Sequence, residues 1–394
     1  MKKKFACLAM AMVMVLSLAA CGGKKEEAPA AAPAESGSDS SVSVFKVGTI
    51  GPLSGDAAIY GQAVANGAKI AVDEINAAGG AIQFELQSQD DEADGEKSVN
   101  AYNTLMDWGM QVMVGPTTTG ASIAVSAQAN ADRTFMLTPS ASSVDVIDGK
   151  DNVFQVCFTD PNQGVASADY ISANMAGAKV AVIYRNDDAY SQGIRDTFVS
   201  EAADKGLEVV YEGTFTADTA TDFSVQLTGA QSAGADTVFL PIYYQPASVI
   251  LNQANAMGYE PTFFGVDGMD GILTMEGFDT SLAEGVMLLT PFSADAEDAH
   301  TQTFVKAYQD QFGETPNQFA ADAYDAVYIY AAALEAAGCT ADMSSADICE
   351  ALVGVMTTIS VDGLTGQGMT WDASGAVSKA PMAVIIENGT YVLP

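Results

Sequence analysis

Apolar residues form two kinds of pattern along most of this chain: short continuous runs, and a regular spacing of three or four positions. Short apolar runs such as FKVGTIG (Phe45 to Gly51) and KVAVIY (Lys179 to Tyr184) predict buried strands. Between such runs apolar residues recur every three or four positions, as they do from Gly61 to about Ala78, where Gly79 and Gly80 end the pattern. This spacing is that of one face of a helix. Regular alternation of strands and helices predicts parallel sheets that are covered by helices.

The alternation begins a second time after Asp160 and Pro161. Before that point the further predicted strands are IQFELQSQD, QVMVG and TFML. After it they are LEVVYEG, DTVFLP and PTFFGV, with a predicted helix from Pro246 between the last two. We therefore interpret the chain as two similar α/β lobes. Two related segments support this interpretation, since GDAAIYGQ and DDAYSQG each follow a predicted strand and begin a helix. They place Tyr60 and Tyr190 at the carboxyl ends of their sheets, where open α/β sheets bind ligands.

The beginning of the chain has the features of a secretory signal. Residues 1–20 combine three lysines with an apolar run and end in LAAC, which resembles the lipobox of bacterial lipoproteins, whose cysteine receives a lipid and becomes the N-terminus. That cysteine is Cys21. An ordinary cleaved leader with an incidental cysteine is the alternative. Residues 21–43 are mainly small, charged and proline residues, which predicts a flexible tether. We expect an extracytoplasmic protein, lipid-anchored to the cell membrane, on the periplasmic side if an outer membrane is present.

The charge balance argues against a nucleic-acid partner. The 394 residues include 16 basic and 50 acidic ones, which gives a formal net charge of −34 at pH 7. A polyanion would be repelled over much of the surface of such a protein.

Three cysteines remain after the tether. Cys157 lies in an apolar, strand-like run and is expected to be a small buried hydrophobe. Cys339 and Cys349 lie on either side of a predicted turn between helices, and an extracytoplasmic location permits a disulfide between them. The spacing alone leaves both the bridged and the free state open. It does not resemble a metal site.

Catalytic and cofactor-binding patterns are missing from the sequence. The only histidine, His300, lies among acidic and polar residues, so a serine nucleophile would lack a base. The acidic loop QDDEADGEKSVNA begins like a calcium loop but has Ala101 where a bidentate glutamate is needed, so we interpret it as a helix cap and solvated loop. No phosphate-binding loop with its lysine and no GxGxxG after a strand is present. We expect no enzyme activity, no cofactor and no metal.

Small hydroxyl side chains are concentrated after two predicted strands of the first lobe. Thr117, Thr118 and Thr119 precede a predicted helix, whose first amides attract an anion, and TPSASS follows the next strand. Capping of the helix by one threonine is the alternative, but it accounts poorly for three. The second lobe offers the tyrosines of PIYYQPA and the carboxylate of Asp267. Uncharged donors on one lobe and a carboxylate on the other fit a zwitterion, and therefore an α-amino acid held between the lobes.

The chain resembles a family of known proteins, and the resemblance extends from about Phe45 to the C-terminus. The motifs that carry the resemblance are GPLSGDAAIYGQAVANGAKIAVDEINAAGG, VGPTTTGA, LTPSAS, NDDAYSQG, GVDGMDG, QFAADAYDAV and GMTWDASG. The family is that of the extracytoplasmic solute-binding proteins of ABC importers, specifically the Leu/Ile/Val (branched-chain amino acid) binding proteins with the type I periplasmic-binding fold.

The resemblance implies an α/β fold of two Rossmann-like lobes, each a mostly parallel sheet flanked by helices. A hinge of three crossings would join them, near Thr159-Asp160, Thr290-Pro291 and Gly363 to Gly366. The implied first lobe comprises residues 44–160 and 291–364, and the second comprises residues 161–290 and 365–394.

The resemblance also implies which residues hold the charged groups of the ligand. Thr119 should bind the carboxylate through its hydroxyl and amide, with Thr118 beside it, and Ser142 should add a hydroxyl and an amide. The carbonyl of Ser140 should accept from the ammonium, and Asp267 should pair with it.

Aromatic residues complete the implied site. Tyr60, Tyr190 and Tyr244 match side chains that close over the ligand, and Phe319 matches one that packs on its side chain. Thr117 is a departure, because leucine-binding relatives have an apolar residue there. A more polar pocket follows, so the sequence does not identify the amino acid.

The implied function is transport. The two lobes would close on an amino acid, branched-chain or otherwise small and aliphatic, and the closed protein would deliver it to the permease of an ABC transporter, held nearby by the lipid on Cys21. A sensing receptor subunit with the same fold, for amino acids or small carboxylates, is the alternative. We expect the protein to be a monomer.

Overall fold

The computed structural model describes residues 42–393. The predicted signal segment, the predicted lipidation site at Cys21 and most of the predicted tether lie outside this part of the chain. Within residues 42–393, no helix is both long and apolar enough to cross a membrane.

The first sheet is entirely parallel and is built by the N-terminal part of the described chain. Its strands have the order β2-β1-β3-β4-β5. The short strands β3, β4 and β5 are completely buried, which explains why they read as continuous apolar runs. The elements are β1 (Ser43–Gly51), α1 (Ala58–Ala78), β2 (Ile82–Asp90), α2 (Gly95–Trp108), β3 (Val112–Val114), α3 (Thr119–Asp132), β4 (Phe135–Thr138) and β5 (Val153–Gln155).

The second sheet follows the same alternation and ends in an antiparallel edge. Its strand order is β12-β11-β10-β9-β8-β6-β7, and only the β10–β11 and β11–β12 pairs are antiparallel. Its elements are α4 (Asp160–Asn174), β6 (Lys179–Arg185), α5 (Ala189–Lys205), β7 (Glu208–Phe215), α6 (Ser224–Ser232), β8 (Thr237–Leu240), α7 (Tyr244–Met257), β9 (Thr262–Gly265), β10 (Met287–Thr290), β11 (Met382–Glu387) and β12 (Thr390–Val392).

Three helices between β10 and β11 return to the first sheet. They are α8 (Ala299–Phe312), α9 (Gln318–Ala337) and α10 (Ser345–Met356). Helices α9 and α1 pack so closely that a Cβ on Gly67 would come within 2.0 Å of the carbonyl oxygen of Ala320. The hydroxyl of Tyr330 donates to the carbonyl of Met113 at 2.7 Å, which fixes α9 on β3.

The predicted fold class is therefore confirmed: two mostly parallel sheets are flanked by helices. Individual boundaries differ from the prediction by a few residues. Helix α7 begins at Tyr244 rather than at Pro246, and α1 begins at Ala58 rather than at Gly61.

The third passage between the sheets lies further along the chain than Gly363 to Gly366. The indole of Trp371 donates to the carbonyl of Gln155 at 2.8 Å, and the carbonyl of Gly375 accepts from the amide of Gln155 at 2.9 Å. Both contacts hold this segment on β5 of the first sheet, so the chain reaches the second sheet only with β11. The lobe boundaries given above remain predictions.

The cysteine pair suggested by the sequence is not bridged. Cys157, Cys339 and Cys349 are all free and buried. Cys349 lies on the buried face of α10, close to Asn152, whereas Cys339 follows the end of α9 at Gly338. Both side chains belong to the same large apolar core.

Candidate functional site

The loops after several strands of both sheets meet in one small cleft. From the first sheet come the start of α1, the loop after β3 and the loop after β4. From the second come the start of α5, the loop before α7 and the short 3-10 helix after β9. The lining residues are Tyr60, Thr117, Thr118, Thr119, Ser140, Tyr190, Tyr243, Asp267, Gly268 and Phe319.

Thr117 and Thr118, which precede α3, have different roles. Thr117 donates its hydroxyl to the carbonyl of Ile50 at 3.2 Å, and the hydroxyl of Ser140 donates to the carbonyl of Thr117 at 2.6 Å. These two bonds fix the loop. Thr118 is the N-cap residue but makes no side-chain cap bond, and its buried hydroxyl has no hydrogen-bond partner among the described residues. The Thr118 hydroxyl and the first amides of α3 are therefore donors that an anion in the cleft can use.

Asp267 is the acidic group of the cleft and is only 4% exposed. The hydroxyl of Tyr190 donates to its Oδ1 at 2.6 Å, and the side chain of Gln318 donates to its carbonyl at 2.8 Å. Burial raises the pKa of this carboxyl to about 7, although the hydrogen bonds from Tyr190 and Gln163 oppose the rise. A cation placed against the carboxyl would favour its charged form.

Tyr60 joins the two sides of the cleft. It is carried by α1 beside the first sheet, yet its hydroxyl donates to the carbonyl of Gly268 and accepts from the amide of Tyr244 at 3.2 Å. Its ring lies 4.3 Å from that of Phe319 and 5.3 Å from that of Tyr243, measured between centroids. These rings form an apolar wall next to the polar groups of the cleft.

The structure brings together eight of the ten residues predicted to bind the ligand. They are Tyr60, Thr117, Thr118, Thr119, Ser140, Tyr190, Asp267 and Phe319.

The other two predicted residues, Ser142 and Tyr244, lie just outside the lining. Ser142 is completely buried, with its hydroxyl 3.5 Å from the side-chain nitrogen of Gln163 and its carbonyl accepting from the amide of Asp160 at 2.8 Å. Tyr244 packs edge-on behind Tyr60 at 5.0 Å. Their roles, like those of the other eight, remain predictions.

Sequence reasoning missed Tyr243, which lines the cleft in place of its neighbour. Tyr243 is the N-cap residue of α7 and lines the cleft, whereas Tyr244 is the first residue of the helix and packs against Tyr60. Two adjacent tyrosines before a helix were the available signal. Only the start of the helix decides between them, and the sequence pattern placed it two residues late.

The acidic loop has the role that the sequence predicted. Asp94 caps α2 by accepting from the amide of Lys97 at 2.9 Å, and Glu92 pairs with the side chain of Lys97 at 2.6 Å. Within residues 42–393 no group of three histidine, cysteine or acidic side chains is placed to hold a metal ion.

Comparison with known proteins gives consistent matches along nearly the whole described chain. A family profile with the description "Periplasmic binding protein" matches residues 44–390. The Leu/Ile/Val-binding protein homolog 3 of Brucella melitensis is 32% identical over 311 residues, which cover 78% of this chain and 82% of that protein.

Two solved structures illustrate the likeness in fold. LivJ, the substrate-binding protein of a branched-chain amino acid transporter of Streptococcus pneumoniae, in complex with isoleucine, is 31% identical with a TM-score of 0.79, and the match covers 88% of this chain and 97% of that one. A solute-binding protein of an ABC transporter from R. palustris, in complex with benzoate, is 22% identical with a TM-score of 0.78 and coverages of 89% and 95%. The second likeness shows the fold alone.

Proposed function

The chain belongs to the periplasmic binding protein family, and we propose that it captures an amino acid with a small aliphatic side chain and delivers it to the permease of an ABC transporter. The observation that carries the proposal is the meeting of a helix N-terminus and a buried carboxyl in one cleft. Thr118 and Thr119 lie at the helix N-terminus, and Asp267 supplies the carboxyl.

Membership of this family confirms three predictions from the sequence. The resemblance to Leu/Ile/Val-binding proteins is confirmed. The expectation that the chain is not an enzyme is confirmed, because the family and the relatives are binding proteins. A location outside the cytoplasm agrees with a periplasmic family. The lipid anchor on Cys21, the membrane association and the monomeric state remain part of the proposal.

The carboxylate of the ligand would lie at the start of α3. The helix dipole and the unbonded amides of the first turn favour a negative charge there, and the buried Thr118 hydroxyl can donate to it. Charge-assisted bonds of this kind contribute about 1.5–3 kcal/mol each. No basic side chain lines this cleft, so the uncharged donors would carry the whole interaction.

The ammonium would lie against Asp267. The carboxyl is held in place by Tyr190, and burial opposes its charged form. Leaving a buried carboxylate without a counter-charge is costly, and an ammonium removes that cost while it gains its own hydrogen bonds. Recognition of both a positive and a negative group in the same cleft would select an α-amino acid over a simple acid or amine.

Delivery would depend on closure of the two sides around the ligand. Tyr60, from the first-sheet side, bonds to Gly268 and Tyr244 on the second-sheet side. A ligand between them would add further contacts to both sides and so stabilise the closed arrangement, which the permease would recognise. A lipid on Cys21 would keep the protein near that permease.

Three matched compounds test this function on the chain without its predicted leader. Leucine carries both charged groups, 4-methylpentanoate lacks the ammonium, and 3-methylbutylamine lacks the carboxylate. At one hundred times its dissociation constant a ligand stabilises the folded state by about 2.7 kcal/mol, so we expect leucine or a close homologue to raise the melting temperature and both analogues to fail at the same concentration. If 4-methylpentanoate raises the melting temperature as much as leucine does, Asp267 does not bind the ammonium. No effect from any of the twenty amino acids would refute the proposed function.

A further inference from the structure

The segment 267–271, which follows β9 and carries Asp267, is bonded to both sides of the cleft. On its own side the hydroxyl of Tyr190 donates to the carboxyl of Asp267 at 2.6 Å and accepts from the amide of Gly268 at 2.9 Å. Tyr190 belongs to α5, the helix between β6 and β7 of the second sheet. These two bonds therefore do not depend on where the first sheet lies.

Gln318 holds the same segment from the opposite side. It is the first residue of α9, a helix that is fixed to the first sheet by the bond from Tyr330 to Met113. Its side-chain amide donates to the carbonyl of Asp267 at 2.8 Å, and its main-chain amide donates to Oδ2 of Asp270 at 2.9 Å. Gln318 is only 2% exposed. Both bonds therefore join the first-sheet side to the segment in a place where water does not compete for them.

Two residues of α1 reinforce this contact. The hydroxyl of Tyr60 donates to the carbonyl of Gly268, and a Cβ on Gly271 would come within 2.7 Å of Cγ2 of Ile59. Gly271 also has a φ of 98°, in a region that residues with side chains rarely adopt. The backbone of the segment thus approaches α1 more closely than a side chain would permit, and the two sides interlock here through contacts of the protein itself.

The contribution of Gln318 to binding would be indirect. It does not line the cleft, although its neighbour Phe319 does. It bonds to the main chain of Asp267, whose carboxyl would pair with the ligand ammonium in the proposed function. If the two sides separate, the bond from Gln318 to Asp267 breaks, because α9 moves with the first sheet. The carboxyl of Asp267 then keeps only the contacts of its own side.

We infer that Gln318 is a positioning residue for Asp267 and makes retention of the ammonium depend on closure of the two sides. This inference rests on the proposed function, since it assumes an amino acid in the cleft. The bonds of Gln318 form only after the ligand has entered and the sides have come together. They therefore slow the release of the amino acid and leave the rate of its first encounter unchanged.

The test compares the wild type with Gln318→Met. Calorimetry gives the dissociation constant of leucine, or of the amino acid that binds best, and stopped-flow fluorescence gives the two rate constants. Methionine has a similar length but no donor, so the carbonyl of Asp267 is left buried and unpaired in the closed form alone, which corresponds to about tenfold in an equilibrium constant. We expect release to be about tenfold faster, and association to stay within about twofold of the wild type.

Gln111→Met is the matched control. Gln111 is also buried, and its side-chain amide donates to the carbonyls of Ala341 at 3.0 Å and Met343 at 3.1 Å. Both partners lie between α9 and α10, on the first-sheet side. This variant should lose stability and keep both rate constants of the wild type. Equally fast release from Gln111→Met and Gln318→Met would show a general loss of stability and would contradict the inference.

A second variant, Asp270→Asn, changes the same contact at another atom. It replaces the carboxylate oxygen that accepts from the main-chain amide of Gln318 by an amide nitrogen, which cannot accept. Release should again be faster at an unchanged association rate, and this variant provides the measurement if Gln318→Met does not fold.

The outcomes separate this inference from the proposed function. If the wild type binds an amino acid and both Gln318→Met and Asp270→Asn release it at the wild-type rate, the inference is wrong while the proposed function stands. A weaker affinity that comes from slower association alone also overturns the inference. If the wild type binds none of the twenty amino acids, the proposed function is wrong and the inference falls with it.

Discussion

The carboxyl of Asp267 illustrates how one residue can make binding depend on pH. Burial raises its pKa to about 7, so near neutral pH part of the population carries a proton there. An ammonium ligand binds the charged form, so binding below pH 7 must first release that proton. The same burial that makes the site selective for a cation therefore makes it sensitive to acid.

We predict that the affinity for leucine rises by up to about tenfold per pH unit from about pH 5 towards pH 7 and then levels off, until the ligand ammonium itself loses its proton. Calorimetry over this range measures the profile. Tyr190→Phe is the matched variant: it removes a hydrogen bond that stabilises the charged carboxyl, so its profile should be displaced to higher pH. A flat profile in the wild type would contradict the assignment of Asp267.

Thr118 gives a second prediction at the same scale, in which stability and binding change in opposite directions. Its buried hydroxyl has no partner among the described residues, and an unsatisfied buried hydroxyl costs about 1–3 kcal/mol. Thr118→Val should therefore raise the free energy of unfolding without ligand and weaken leucine binding by about tenfold or more, the loss of one charge-assisted bond.

The control for Thr118→Val is Thr49→Val, at a threonine whose hydroxyl is already bonded to Ser88 at 2.7 Å. It lies outside the cleft, so it should lower stability and leave the dissociation constant unchanged. If Thr118→Val binds leucine as tightly as the wild type, the Thr118 hydroxyl does not hold the carboxylate.

At the scale of secondary-structure elements, an ion pair joins α9 to the segment before β11. Lys379 lies 2.6 Å from Asp322, and the side chains of both are 2% exposed. Lys379 also donates to the hydroxyl of Thr365 at 2.7 Å. Burial raises the pKa of Asp322, and the charge of Lys379 opposes this. The pair fixes the segment that leads from the first sheet to the second.

We predict that Lys379→Met lowers the free energy of unfolding by about 3–5 kcal/mol, because it leaves a buried carboxyl without its counter-charge. Urea denaturation measures the change. Adding Asp322→Leu should recover much of the loss, since the uncompensated charge is then gone. Lys306→Met removes an exposed pair with Asp310 and should have little effect. If Lys379→Met and Lys306→Met both change the free energy of unfolding only slightly, the buried pair does not have this structural role.

The elements also show which features of the site could be predicted from the sequence. Periodicity predicted β1 to β4 and β6 to β9 but not β5 or β10 to β12. Residues after strand ends indicated both the threonine loop and Asp267, because parallel strands present these ends together. The sequence pattern could not show that Tyr243 rather than Tyr244 lines the cleft, since the choice depends on the residue at which α7 begins. The sequence pattern also could not show that Ser142 is turned towards Gln163, or that Cys339 and Cys349 are not bridged, because these depend on packing between distant segments.

At the scale of the whole molecule, the two sheets are linked by three chain passages, and the cleft lies where their loops meet. This arrangement permits one side to move relative to the other while the binding groups of each side stay rigid on their own sheet. Tyr60, Gly268 and Tyr244 form contacts across the cleft, and a ligand would add to them.

We predict that leucine, or the homologue that binds best, decreases the radius of gyration measured by small-angle X-ray scattering, because it shifts the population towards the closed form. Asp267→Asn at the same ligand concentration should show no decrease, since it no longer retains the ammonium. A wild-type radius that stays constant at saturation would exclude closure as the transport signal.

The most direct measurement is a crystal structure of the chain without its predicted leader, grown with the amino acid that binds best. The account predicts one ligand in the cleft, with its carboxylate within hydrogen-bonding distance of the Thr118 hydroxyl and the first amides of α3, and its ammonium on the carboxyl of Asp267. A ligand bound elsewhere, or one in the cleft with its ammonium away from Asp267, would contradict the account.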